Sequence, residues 1–176
     1  MACNVTLTGI SYDCNDLGIG GIVELHIAER SAVTGIVTAD AATRAVTAPT
    51  GSASPITLGF NLKDGFSVFS EVKTVNADGT TTTVPTISVE LPKMDSDKIA
   101  SLNQMAVGGA ELVAFVKTAA GTFHISGLDY GLYVSTVDGN SGTGRSEKNR
   151  FQLTLTGEEN GLSYSVAESD FNTLVA

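Results

Sequence analysis

The string Gly139-Asn140-Ser141-Gly142-Thr143-Gly144-Arg145-Ser146 has the spacing of a phosphate-binding loop, with Arg where such loops carry Lys. That chemistry needs a strand before the loop and a helix after it, so that free N–H groups at the helix N-terminus face the phosphates. The segment that follows, NRFQLTLTG, alternates apolar and polar residues and reads as a strand. The string is therefore read as a flexible hairpin loop. Gly18-Ile19-Gly20-Gly21 fails as a dinucleotide fingerprint on similar grounds. It lacks the third Gly at the right spacing and opens a strand rather than a helix. A bulge or a close backbone approach accounts for it.

His26 and His124 fall on the polar faces of predicted strands and read as solvated or hydrogen-bonded side chains. Two lone histidines cannot build a structural zinc site without nearby cysteines or carboxylates, and Cys3 and Cys14 have no His at metal-ligand spacing. Members of a Ser–His–Asp triad need not be adjacent in sequence. Yet no G-x-S-x-G nucleophile elbow lies between a strand and a helix. Glu158 and Glu159 fall at a turn and read as solvated turn residues. On these grounds the chain is expected not to be an enzyme, with no catalytic residues, no cofactor and no metal.

The elements that would position any site follow from composition and pattern. The chain has 176 residues, which suits one domain over residues 1–176. Charged residues are 16%, below the usual share of about 25%. With 19 Gly and abundant Thr and Ser, this is a β-rich, turn-rich composition. The net charge of −9 argues against tight nucleic-acid binding, which needs clustered Lys and Arg. Acidic walls would instead let DNA pass without sticking. No basic-then-apolar leader opens the chain, and no apolar run approaches 18 residues, so neither a signal peptide nor a membrane span is expected. Synthesis in a cytosol with reduced thiols follows, and the sequon at Asn4 is incidental. Aromatics at 6% and the absence of Trp disfavour glycan stacking platforms.

Strands are predicted at 5–8, 22–29, 66–75, 80–91, 112–118, 123–125, 132–137, 151–156 and 162–166. In the second of these Val23, Leu25 and Ile27 share one face. Asn76-Ala77-Asp78-Gly79 marks a hairpin. Pro85 lacks an N–H, so its strand is expected to begin at an edge or bulge. One helix is predicted over 95–107, capped by Asp95 or Ser96, with Ile99, Leu102 and Ala106 on its buried face and Gly108-Gly109 ending it. Residues 31–55 are small and polar, with short strands at most around Ile36 and Val46. They read as a long loop or arm rather than core. The fold class is mainly β: an antiparallel β-sandwich or barrel with one flanking α-helix and a long polar arm.

This order of segments resembles the major tail tube proteins of long-tailed bacteriophages, especially those infecting Bacteroidetes-type hosts. GGIVELHIAE, the capped helix DSDKIASLNQMAVGG and the run ELVAFVKTAAGTFHISGLDYGLYVSTVDGNSGTGRSEKNRFQLTLTGEENGLSYSV carry the resemblance. It implies a virion structural protein whose hexameric rings stack into the hollow tube that conducts DNA. Its partners would be further copies of itself, other tail proteins and genomic DNA that passes without specific binding, with no membrane. Its location would be the virion tail, after synthesis in the host bacterial cytoplasm. Residues 31–55 would be the arm that contacts the next ring, with Thr38, Asp40, Arg44, Val46, Pro49 and Pro55 as candidate contacts. Another virion ring, connector or capsid decoration protein, or a monomeric β-sandwich binding module, are the alternatives.

Overall fold

A computed structural model describes residues 20–47, 49–58, 67–107, 109–144 and 147–176. The predicted strand at 5–8, both cysteines, Gly18, Ile19, Gly108, Arg145 and Ser146 lie outside the described residues. In chain order the elements are β1 (Ile22–Glu29), α1 (Arg30–Val33), β2 (Thr38–Asp40), β3 (Ala45–Thr47), β4 (Ile56–Thr57), β5 (Ser67–Val75) and β6 (Thr81–Pro92). There follow α2 (Ser96–Met105), β7 (Leu112–Thr118), β8 (Phe123–Ser126), β9 (Leu132–Asn140), β10 (Arg150–Gly157), β11 (Tyr164–Val166) and α3 (Glu168–Val175).

The protein is mainly β, as its composition predicts. One sheet runs β2-β3-β11-β8-β7-β9-β10-β6-β5, with β1 pairing to β7 and β4. The short β3–β11 ladder is parallel, and the other ladders are antiparallel. β7 explains how this sheet makes two cores. Its side chains alternate, so Leu112, Ala114 and Val116 enter one cluster while Val113 and Phe115 enter the other. The first cluster sets β1 and β7 against Ile87 and Val89 of β6 and Leu153 and Leu155 of β10. The sheet has folded over so that two limbs face each other across an apolar layer. The second cluster lies on the far face of β7 and β8, under Phe171 and Leu174 of α3.

The fold-over happens at a corner where glycines pack closely on Leu112 and Leu132. β9 meets β7 through the single pair Leu112↔Leu132. A Cβ on Gly127, at φ +95°, would stand 2.5 Å from the Leu112 carbonyl oxygen, and one on Gly157 would stand 2.6 Å from that of Gly131. β5 then crosses the open end of the opposite limb. Ser67 Oγ accepts the Ile22 N–H at the start of β1. The Phe69 ring lies 5.7 Å from that of His124 on β8. The Glu71 carboxylate accepts the Ser163 N–H at the approach to β11.

Several expectations hold at this level. Asp95 caps α2, its carboxylate accepting the Lys98 N–H at 3.0 Å. The β5–β6 hairpin closes at Gly79, φ +84°. β10 keeps its strict alternation of buried and half-exposed residues.

Others are corrected. The buried stripe of α2 is Leu102 and Met105, and Ile99 and Ala106 are exposed. Its first turn is held by Lys98 Nζ on the carbonyls of Pro92 and Lys93 instead of by apolar burial. Pro85 lies inside β6, one residue beyond the last β10 pair, Thr86↔Thr156, where that ladder has ended. α1 and α3 were not expected beside α2. α3 buries only Phe171 and Leu174, too short a stripe to stand out in the sequence. The segment 31–55 is no free arm. It folds into α1 and the β2–β3 hairpin, and buries Val33, Val46 and Ala53. Small residues suffice there because β3 adds directly to β11 and the Ala53 N–H bonds the Leu174 carbonyl of α3.

Candidate assembly surfaces and the Arg44 cluster

β5 ends the sheet. Among the described residues no strand pairs along its outer edge. Ser67, Phe69 and Glu71 meet the opposite limb, and Val68, Ser70, Val72 and Thr74 lie on the other face of the strand. Val84 and Thr86 stand beside them on β6, opposite Val72 and Ser70. None of the six carries a charge, and Val72 is 61% exposed. Proteins ordinarily blunt an exposed edge with charge, Pro or a bulge; the charges that β5 carries, Glu71 and Lys73, lie on its other face. The other end of the sheet is β2, exposed at all three residues.

The six candidate arm contacts are split by the structure. Thr38 and Asp40 lie on β2, and the Asp40 carboxylate caps its own turn by accepting from the Ala42 N–H and the Thr43 hydroxyl. These bonds hold Asp40 below the usual carboxylate range. Pro49 and Pro55 are half-buried beyond the hairpin. Val46 is buried in the core under α3, so it faces its own chain. Arg44 is likewise turned inward.

Arg44 anchors a cluster that the sequence did not reveal. Its backbone sits at φ +51°, a left-handed conformation that costs a side-chain-bearing residue. The guanidinium donates from Nε to the Leu162 carbonyl at 2.5 Å, from Nη1 to Asp129 Oδ2 at 2.8 Å and from Nη2 to the Gly161 carbonyl at 3.0 Å. Its Cζ lies 3.7 Å from the centre of the Tyr164 ring, and Tyr164 in turn donates to Asp129 Oδ1 at 2.7 Å. Nη2 is also 3.7 Å from Glu159 Oε2. Glu159 accepts the backbone N–H groups of Asp129 and Tyr130. It is 3% exposed, which corrects the expectation of a solvated turn residue; Glu158 is exposed as expected.

Two carboxylates thus share one guanidinium, and their proton affinities split. Burial, helped by the negative charge of Asp129, pushes Glu159 up to about 7 against the two N–H bonds it accepts. Burial also works against the Asp129 anion, but the bonds from Arg44 and Tyr164 prevail and hold it below the usual range. Burial and the bond to Asp129 raise Tyr164 to about 12. A cleft of about 280 Å³ opens beside the cluster, between Ala41 and Ala42 of the hairpin and Lys73 of β5.

The histidines are more buried than their strand faces suggested. His26 is 8% exposed, bonded through Nδ1 to the Thr57 hydroxyl at 3.0 Å, with its ring edge-on to Phe171. Burial lowers its pKa, with Glu24 opposing. His124 Nδ1 lies 3.3 Å from Ser163 Oγ, but that hydroxyl is 3.0 Å from Glu71 Oε2 and the second ring nitrogen faces Thr122. Among the described residues no carboxylate bonds the imidazole, so the order of groups is not that of a Ser–His–Asp relay. In the phosphate-loop-like string Gly139 belongs to β9 and the next element is β10. The Gly142 N–H bonds Asn140 and the Thr143 N–H bonds Glu147, so these donors serve the loop itself.

Comparison of the chain with protein-family models, with curated proteins and with solved structures gives no match.

Proposed function

We propose that the chain is a self-assembling structural subunit, and that its rings stack into the hollow tail tube of a long-tailed bacteriophage. The observation that carries the assembly reading is the β5 edge: nine residues that, among the described residues, end the sheet, flanked by an uncharged, valine-bearing face. Such an edge is a hazard on a free monomer and an asset on a subunit. One edge meeting a different edge of the next copy is a heterologous contact, which closes into a ring when its rotation divides a full turn. β2 supplies a second edge on the same chain.

The tail-tube level of the proposal rests on the segment order described above, together with the charge. A net charge of −9 suits a conduit to which DNA must not adhere. The partners under this reading are copies of the same chain, other tail proteins and passing DNA, and the location is the virion tail. The segment 31–55 contributes to contacts through the exposed face of β2, not through a free arm.

Electron microscopy of the purified chain over a concentration series, paired with light scattering, tests the reading. Stacked rings or hollow tubes are expected. Closed rings that never stack would move the assignment to a connector or decoration protein. A chain that remains monomeric at high concentration, even with preformed tube ends as seeds, would refute self-assembly.

A further inference from the structure

We propose that the β2–β3 hairpin is a strap latched onto the body by Arg44, and that it opens as a unit while the rest of the sheet stays folded. Its other attachments are narrow. β2 is exposed along its length, and β3 joins β11 through two residue pairs. Val46 is the one fully buried side chain on these two strands. A two-pair ladder with a single apolar anchor belongs to the low end of local stability.

Arg44 supplies the remaining hold. Its guanidinium takes Asp129, Gly161 and Leu162 in one fork and stacks on Tyr164. Bonds to a charged group are the stronger kind, and a fork places several at once. The backbone at Arg44 would suit Gly or Asn better, so the residue stands there for its side chain. Arg30 pins the near end of the same stretch, with Nε on the Leu128 carbonyl and Nη2 on that of Asp129. Both ends of the segment therefore converge on one loop, and Arg44 holds the end that carries the hairpin. Opening would bare the edge of β11 and the seat of Val46. Use of those surfaces by a neighbouring copy rests on the self-assembly reading above; the latch does not.

Hydrogen exchange on the full chain, kept monomeric by dilution, tests the latch. Arg44→Gly suits the backbone and removes the guanidinium, while Arg44→Lys keeps the charge and loses the fork. Expected is a rise of roughly 30- to 100-fold in exchange at residues 45–46 and 165 in Arg44→Gly, with a smaller rise in Arg44→Lys. The Ser165 N–H reports directly, since it bonds the Arg44 carbonyl. β7 and β10 should keep their protection. Unchanged exchange at 45–46 and 165 overturns the proposal. So does a rise that extends to β7 and β10, or failure of both variants to fold, because the hairpin would then open only with the body. A chain that never assembles sinks the tail-tube reading and leaves this result standing.

Discussion

Glu159→Gln is expected to stabilise the protein above neutral pH and to do little near pH 4.5. The folded chain holds the Glu159 proton up to about 7, whereas the ordinary value is 4.5. Between those values the unfolded chain binds fewer protons than the folded one. Stability is therefore lost as pH rises through the interval, and the loss is complete above 7. At about 1.4 kcal/mol per unit, the gap corresponds to roughly 3 kcal/mol. Gln mimics the protonated side chain. Its carbonyl can accept from the N–H of Asp129 or Tyr130, and its amide can face the Asp129 carboxylate. The variant should thus gain roughly 3 kcal/mol over the parent by pH 8, a Tm increase of roughly 6–12 °C for a chain of this size. The assay is thermal and urea unfolding of both proteins from pH 4.5 to 8. Burial lowers His26 and His124 below their ordinary value, which gives the opposite slope with pH, but they contribute equally to both proteins. Asp129 titrates below the window. A constant difference across the range would refute the argument, as would a variant weaker than the parent at pH 8. Either would mean that Glu159 is ionised in the fold and that its attraction to Arg44 outweighs burial.

Three further outcomes are expected. Val72→Lys puts a charge on the open face of β5 and should abolish assembly in electron micrographs while moving monomer stability by no more than about 0.5 kcal/mol; normal tubes from this variant would place the assembly contact elsewhere. Gly127→Ala combines a left-handed backbone with a Cβ against the Leu112 carbonyl, and should cost about 3 kcal/mol or more, read as a lower urea midpoint. Asp95→Ala removes the cap of α2 and should cost about 1 kcal/mol by the same measurement, with exchange rising first at the Lys98 amide.

The strands of the β9–β10–β6–β5 limb were legible because their information is local. β10 alternates in sequence as it alternates in burial, and Asp78-Gly79 marks the β5–β6 turn by backbone geometry alone. The run Leu112–Val116 is apolar on both faces, which suits a strand that feeds two cores. The Asp95 cap is equally local, since the carboxylate and the N–H it accepts are three residues apart. The segment 31–55 misled because small residues look like loop when their neighbours are unknown. Val46 becomes core only when β3 lies beside β11, more than a hundred residues away in sequence.

The Arg44 cluster was invisible for the same reason. Arg44, Asp129, Glu159 and Tyr164 come from three distant stretches, and no spacing connects them. Glu159 sits beside the exposed Glu158 in a turn, and the local pattern treats the two alike. Only the tertiary structure separates them, by closing Arg44 and the 129–130 backbone over one and leaving the other in water. Strand and helix periods are written in neighbouring residues, so the sequence by itself determined the mainly β class and most of its elements. Burial and charge sharing depend on which distant segments meet, and the folded sheet alone decided those.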